Sequence, residues 1–245
     1  MTVEVRRAES RATTRADGLV SRHSFSFGPH YDPGDVGHAV LVAHNDDRVE
    51  AGAGYDTHPH RDLEIVTWVL DGGLRHEDSE GHGGVVVPGL LQRLSAGSGV
   101  RHAEHHDVAS GPTVRFVQMW VLPDDPGLTP SYAQHDVGPL LAGGDLVPVA
   151  SGRRGPGSGA GSDAAVPVHN RDATFHVARL AGGQSVELPD APYLHVFVAR
   201  GGADLEAAGP LAEGDAVRLT GAGGVRLTAA GPGCEVLVWE MHRGR

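Results

Sequence analysis

Four side chains in two closely spaced pairs carry the best prospect of chemistry in this sequence: His58 with His60, and His102 with Glu104. Imidazole nitrogens and a carboxylate oxygen are donors for first-row divalent ions, and three of the first with one of the second suit Fe, Mn, Co, Ni, Cu or Zn. On a six-coordinate ion such a set leaves positions open for a substrate or for O2. Histidine is abundant here, 16 of 245 residues, so a pair on a polar edge can arise without purpose. The surroundings of the two pairs therefore decide their weight.

Each pair is spaced i, i+2, and residues two apart on a β-strand project to the same face. Two facing strands are enough to gather all four donors. The first pair is followed by the apolar run from Leu63 to Leu70 and a turn at Asp71-Gly72-Gly73, which predicts a strand and its exit. Further strands are predicted at Ala39 to Ala43, Val85 to Val87, Leu90 to Leu94 and Val114 to Leu122, and no window of about 12 residues keeps a helical period. In the last of these, Val114, Phe116, Gln118 and Trp120 share one face while Arg115, Val117, Met119 and Val121 take the other. Both faces are largely apolar, which predicts packing on two sides, as in a sandwich-like barrel. By the same strand rule His58, His60, Asp62 and Glu64 share a face, so a kink or bulge decides which carboxylate joins the histidines.

The chain is long enough for two cores, and we divide it at residues 1–130 and 131–245. Glycine and proline, 36 and 16 residues, suit many turns between short strands. Pro123 to Pro130 breaks the strand pattern, and the glycine- and serine-rich stretch 152–162 is predicted to be an exposed flexible loop. Beyond it strands are predicted at Val166 to His169, Thr174 to Leu180, Ser185 to Leu188, His195 to Ala199, Ala216 to Leu219, Val225 to Ala229 and Val236 to Trp239. This half holds no His-x-His, and His169, His176 and His195 stand apart. A lone histidine on an apolar strand is expected to be a hydrogen-bonded core residue, so a metal-free second barrel is expected.

Composition narrows the partners. A formal net charge of −11 without a basic stripe argues against direct binding of nucleic acid. All 20 basic residues are arginine, which excludes lysine Schiff bases and a P-loop lysine. Cys234 is the single cysteine, so intrachain disulfides and cysteine-based zinc sites are excluded, and its apolar strand predicts a packed thiol. No stretch approaches the ~20 apolar residues of a membrane span, and the first residues lack an apolar signal region. A soluble, cytoplasmic monomer is the expectation.

The arrangement Gly52-x5-His58-x-His60-x3-Glu64 resembles the first motif of the cupin superfamily, although the following glycine comes one position late. The run Gly97-Ser98-Gly99-Val100-Arg101-His102 resembles the second, with Gly97 at the usual proline and His106 at the usual asparagine. A longer ordered string resembles the pirin family of two-cupin proteins: Arg22 to Gly28, Tyr31-Asp32-Pro33, Asn45-Asp46-Asp47, Thr57 to Ile65, Ser95 to Glu104, and Gln118 to Val121. The resemblance implies an all-β fold of two tandem cupin barrels, the double-stranded β-helix or jelly-roll type, with the metal in the first. Carried over by position, it places the metal ligands on His58, His60, His102 and Glu104. Glu64 stands where other cupins carry their glutamate ligand. One divalent transition metal per chain is implied, Fe(II) first, with Mn, Co, Ni, Cu or Zn as alternatives. The implied activity is that of a quercetin 2,3-dioxygenase, opening the ring of a flavonol with O2 and releasing CO. Its partners are a small aromatic polyphenol and O2, and Glu104 serves as ligand, as base for the flavonol hydroxyl, or as both in turn. The same resemblance implies a second reading: an iron-binding, redox-responsive regulator that acts through a protein partner without turnover. His76, His82, His105 and His106 are expected at the surface or behind the ligands.

Overall fold

The computed structural model describes residues 1–153 and 164–244. The stretch read as a flexible loop therefore lies, but for its first two residues, outside the described residues. In the first half the strands are β1 (Thr2–Arg6), β2 (Ala12–Ala16), β3 (Leu19–His23), β4 (Leu41–Glu50), β5 (Gly54–His60), β6 (Glu64–Asp71), β7 (Leu74–Asp78), β8 (Gly83–Val86), β9 (Leu90–Ser95), β10 (Val100–His106), β11 (Thr113–Val121) and β12 (Ser131–Asp136). In the second they are β13 (Val147–Ser151), β14 (Val166–Pro167), β15 (Ala173–Ala181), β16 (Ser185–Glu187), β17 (Ala191–Leu205), β18 (Gly209–Ala212), β19 (Ala216–Ala222) and β20 (Arg226–Met241). Among the described residues, helix is limited to short 3-10 turns.

The chain folds into two tandem cupin barrels. The first is enclosed by a seven-stranded sheet, β12-β9-β6-β11-β4-β3-β2, and a four-stranded sheet, β5-β10-β7-β8. The second is a nine-stranded sheet along β1-β19-β17-β20-β15-β13-β14, with β16 on β20 and β18 on β17. Its long strands β17 and β20 shift register at Val198/Arg200 and at Gly201/Gly202, and such bulges bend a sheet so that it can wrap round a core. The pairing crosses the expected division at residue 130 in both directions. β1 closes an edge of the second barrel by pairing with β19, and β12 closes an edge of the first by pairing with β9. An uncovered edge strand leaves unpaired N–H and C=O groups, which each exchange removes.

The prediction that β11 packs on both faces holds, and β6 behaves likewise. From these two strands Val66, Trp68, Leu70, Val117, Met119 and Val121 face the second barrel, where they meet Phe175, Phe197, Leu237, Trp239 and Met241 in an apolar cluster shared by both halves. Trp68 Nε1 donates to Glu235 Oε1 across this seam at 2.6 Å. The opposite faces of β6 and β11 line the first barrel. Ile65 and Leu94 gather in one small cluster there, and Val69, Val114 and Phe116 in another. Among the buried polar residues on this side are Thr67 and Gln118 of these strands, Gln92 of β9, and His76, His102 and Glu104 of the facing sheet.

Candidate metal centre

The two predicted donor pairs lie on neighbouring strands. β10 runs antiparallel to β5 with His102 opposite His58, so the imidazoles of both strands leave the sheet on one side. On β10 the period of two buries Val100, His102, Glu104 and His106 and turns Arg101, Ala103 and His105 outward. Between His102 and Glu104 the register slips, so that Glu104 faces Tyr55 and three steps on β5 match two on β10. The extra residue brings Tyr55 to the inner face, where its hydroxyl donates to buried Asp47 at 3.2 Å. It also turns the Asp56 carbonyl toward His58 Nδ1 at 2.7 Å. A carbonyl only accepts, so Nδ1 carries the proton and Nε2 of His58 keeps a lone pair for a metal. Gly54 permits the close approach of the strands: a Cβ there would stand 2.4 Å from the Glu104 carbonyl oxygen.

One donor atom each from His58, His60 and His102 lies within 4.8 Å of the others, and His76, His102 and Glu104 form a second such trio. His102 belongs to both. His102 and Glu104 are each 1% exposed, whereas His58 and His60 are half-buried. Neither ring nitrogen of His102, nor Nε2 of His60, nor Oε1 of Glu104 has a hydrogen-bond partner, although all are buried. Buried polar atoms are rarely left so, because each loses its hydration without recompense. A divalent cation would take one ring nitrogen from each histidine and an oxygen from Glu104, and imidazole with carboxylate is the donor chemistry such an ion takes. The residues present therefore fit a transition metal.

Burial sets the protonation of the set. Desolvation lowers His60 to about 4, helped by the neighbouring His58, and lowers His102 to about 3, helped by His58, His60 and His76. Both imidazoles are then neutral near pH 7, as a ligand must be. Glu104 is pushed up to about 7, first by desolvation and further by Asp47, against the opposing hydrogen bond from Gln118. A cation beside it would restore the carboxylate.

Glu64 takes no part in either trio. After His60 the chain turns at Asp62, whose φ of 53° lies in the left-handed region, held by a hydrogen bond from Gly127 N–H to Asp62 Oδ1 at 2.6 Å and one from Asp62 N–H to the Gly97 carbonyl at 2.8 Å. This turn ends the shared face of His58 and His60 and delivers Glu64 to β6 in the other sheet, on the face that carries Val66 and Trp68 toward the seam. There Glu64 accepts from Ser95 Oγ at 2.8 Å and from the His169 backbone N–H at 3.1 Å.

Other side chains complete the surroundings. Gln118 Nε2 donates to Glu104 Oε2 at 2.7 Å, and Trp120 Nε1 donates to Gln118 Oε1 at 3.1 Å. His76 Nε2 donates to Asp78 Oδ2 at 3.3 Å, which leaves its Nδ1 unpartnered, 4.0 Å from Glu104 Oε1. Tyr132 stacks on His76 at 5.3 Å. A cleft of about 370 Å³ reaches the group at His60, between Pro59, Arg61, Ser98, Val100 and Arg101. The larger cleft of about 680 Å³ lies at the seam, beside Asp124, His169 and Arg171, and includes none of the four donors.

Residues 4–121 match the Pirin family and residues 157–241 match the Quercetinase C-terminal cupin domain. The chain is 54% identical over 241 residues to a Mycobacterium tuberculosis protein named "Putative quercetin 2,3-dioxygenase", covering 98% of this chain and 96% of that one. This chain belongs to the pirin family. It is also 42% identical over 132 residues to the Escherichia coli protein named quercetin 2,3-dioxygenase, covering 54% of this chain and 57% of the other. Its fold is similar to that of the bacterial pirin YhhW from Escherichia coli in complex with nickel(II), with a TM-score of 0.84, 29% identity, and coverage of 99% of this chain and 100% of that one.

Within this pirin fold all four predicted donors face the interior of the first barrel, and Glu64 does not. His76, expected at the surface or behind the ligands, is buried at 0% exposure beside Glu104, and sequence reasoning gave Gln118 no part in the site. The signal for His76 was available: Leu74, His76 and Asp78 alternate on β7 and are all turned inward opposite His106, Glu104 and His102. His82 and His105 are partly exposed, while His106 is buried. In the second barrel His176 bonds Glu240 at 2.8 Å, but the hydrogen bond expected of His195 is absent. Its ring packs against those of His44 and Phe25, at 4.6 and 5.6 Å, and leaves both nitrogens unpartnered. Cys234 is buried as expected, with its thiol raised to about 11 by desolvation and then by Glu235.

Proposed function

We propose that this pirin is a metal-dependent dioxygenase that opens the ring of a flavonol such as quercetin with O2 and releases CO. The observation that carries the reading is two donor trios that share His102, one with His58 and His60 and one with His76 and Glu104, in which buried atoms of His60, His102 and Glu104 are unpartnered beside the pre-oriented Nε2 of His58. His58, His60, His102 and Glu104 would hold one divalent transition metal, Fe(II) first among the candidates. Such an ion supplies Lewis acidity toward an enolic hydroxyl and the redox chemistry that O2 requires.

The remaining work belongs to side chains. Glu104, held as a carboxylate beside the ion, would accept the proton of the flavonol 3-hydroxyl. His58 and His60, half-buried, face the approach from solvent, and the cleft at His60 gives a planar polyphenol apolar walls in Pro59 and Val100. Arg61 and Arg101 on the same cleft supply positive charge toward an acidic hydroxyl. The names of the relatives support the same reading.

The test is direct. Protein loaded in turn with Fe(II), Mn(II), Co(II), Ni(II) or Cu(II) is given quercetin under air, and flavonol absorbance, oxygen uptake and CO are followed. At least one metal is expected to support turnover that a His58→Ala, His102→Ala variant lacks. Stoichiometric metal binding without turnover for any of them would defeat the dioxygenase and favour an iron-binding regulator that works through a protein partner.

A further inference from the structure

An indole N–H can only donate and a carboxylate can only accept, so the contacts on either side of Gln118 fix which end of its amide faces which neighbour. Trp120 holds the carbonyl end at 3.1 Å, and the nitrogen end therefore caps Glu104 Oε2 at 2.7 Å. Thr67 Oγ1, 3.5 Å from the same amide nitrogen, adds a long second contact. Glu104 is left with one buried oxygen that has no partner, Oε1, in the trio with His102 and His76. Trp120 also sets its ring edge-on against His60 with centroids 4.9 Å apart, and Phe27 packs edge-on against Trp120 at 5.2 Å. One indole thus touches one proposed ligand directly and a second through an amide.

We propose that Trp120 and Gln118 are positioning residues of the metal centre: they restrict Glu104 to binding through Oε1 alone and so keep open a coordination position that a two-oxygen carboxylate would fill. The inference rests on the metal reading above. Without the indole N–H the Gln118 carbonyl loses its anchor, and the amide, held only through its nitrogen end, is free to shift with the carboxylate. Without the amide both carboxylate oxygens are free to swing onto the ion. Either change removes a place for substrate or O2 while leaving the protein ligands present.

Full-length wild type, Gln118→Ala, Trp120→Phe and His58→Ala proteins are loaded with Co(II), whose visible absorption weakens as coordination number rises. Co(II) stoichiometry, kcat, KM and Tm are measured on the same samples. Gln118→Ala and Trp120→Phe are expected to bind one Co(II) per chain with weaker, shifted bands, and to lose kcat by about tenfold to a hundredfold. Trp120→Phe keeps a ring against His60, so it remains informative should Gln118→Ala fail to fold. Wild-type Co(II) bands in both variants, with losses confined to Tm, would overturn the inference and leave the metal centre standing. Wild-type bands in His58→Ala would overturn the metal centre, and this inference with it.

Discussion

Inside the second barrel Leu194, Val196, Val217, Leu219, Leu227, Val236 and Val238 meet in one continuous apolar cluster. The matching space in the first barrel is split: Leu19, Val49, Val69, Val114 and Phe116 pack in one group and Ile65, Leu94, Ala96 and Val100 in another, while His102, Glu104 and Gln118 are buried on the same inner faces. One scaffold thus carries two kinds of interior. The apolar one draws its stability from burial alone. The polar one keeps unpartnered imidazole and carboxylate groups out of water, which is unfavourable until something satisfies them. It can tolerate this because the outer faces of β6 and β11 are anchored in the seam with the second barrel. A functional interior is held in place here by packing on the far side of its own sheet.

The largest test of this contrast truncates the apolar interior. Leu227 is 0% exposed, and Leu227→Ala is expected to destabilise the protein by about 2–5 kcal/mol through lost burial and the cavity left behind. Denaturant unfolding should show the same loss in metal-loaded and chelated protein. A loss that depended on metal would mean that the two interiors do not contribute separately.

Metal removal addresses the other interior. At free metal a hundredfold above its Kd, binding adds about 2.7 kcal/mol, so chelation should lower Tm by roughly 5–10 °C for a chain of this size. In the metal-free protein Glu104 releases its proton at about 7, against 4.5 as its ordinary value. Between those values the folded state binds the extra proton, so this group makes stability fall as pH rises through the window. His60 and His102 have the opposite sign: held at about 4 and about 3, they contribute stability present above pH 6.5 and lost as pH falls toward their folded values. Glu104→Gln should therefore raise the metal-free Tm at pH 8 relative to wild type and reduce the response to metal. Below pH 7 it should also remove one proton, about tenfold per pH unit, from the pH dependence of metal affinity. Glu64→Gln should leave metal content unchanged, and loss of metal in that variant would return Glu64 to the ligand set.

The smallest effect is expected at the seam. His195 is buried with no hydrogen bond at either ring nitrogen, and His44 beside it is lowered to about 3 by desolvation and then by Arg11. Replacing an unsatisfied polar ring by an apolar side chain is expected to be neutral or stabilising, by about 1 kcal/mol. Thermal unfolding of His195→Leu checks it, and a clear loss would mean that the imidazole has a partner such as ordered water.

The donor pairs were legible because a strand's period of two is local: knowing that β5 and β10 are strands is enough to put His58 with His60, and His102 with Glu104, on one side. The two-sided burial of β11 was legible for the same reason. β7 and β12 were not anticipated, because Leu74-Arg75-His76-Glu77-Asp78 and Ser131-Tyr132-Ala133-Gln134-His135-Asp136 are too polar to announce a strand by apolar pattern. Their polar residues face a polar interior or an edge, where hydrophobic periodicity carries no signal.

By itself, then, the sequence determined the all-β character and the placing of His58 with His60 and of His102 with Glu104, since these follow from residue type and spacing within single strands, and its resemblance to the pirin family implied the two barrels. Which carboxylate joins the histidines was decided only in three dimensions, by the left-handed turn at Asp62 that sends Glu64 to the seam and by the register slip that sets Glu104 opposite Tyr55. Tertiary structure likewise decided that Gln118, from the opposite sheet, would cap Glu104, and that β1 and β12 would each complete the other half's barrel. Contacts between segments far apart in the chain depend on register and on the competition of sheet edges for partners, and neither is written in the spacing of residues along one strand.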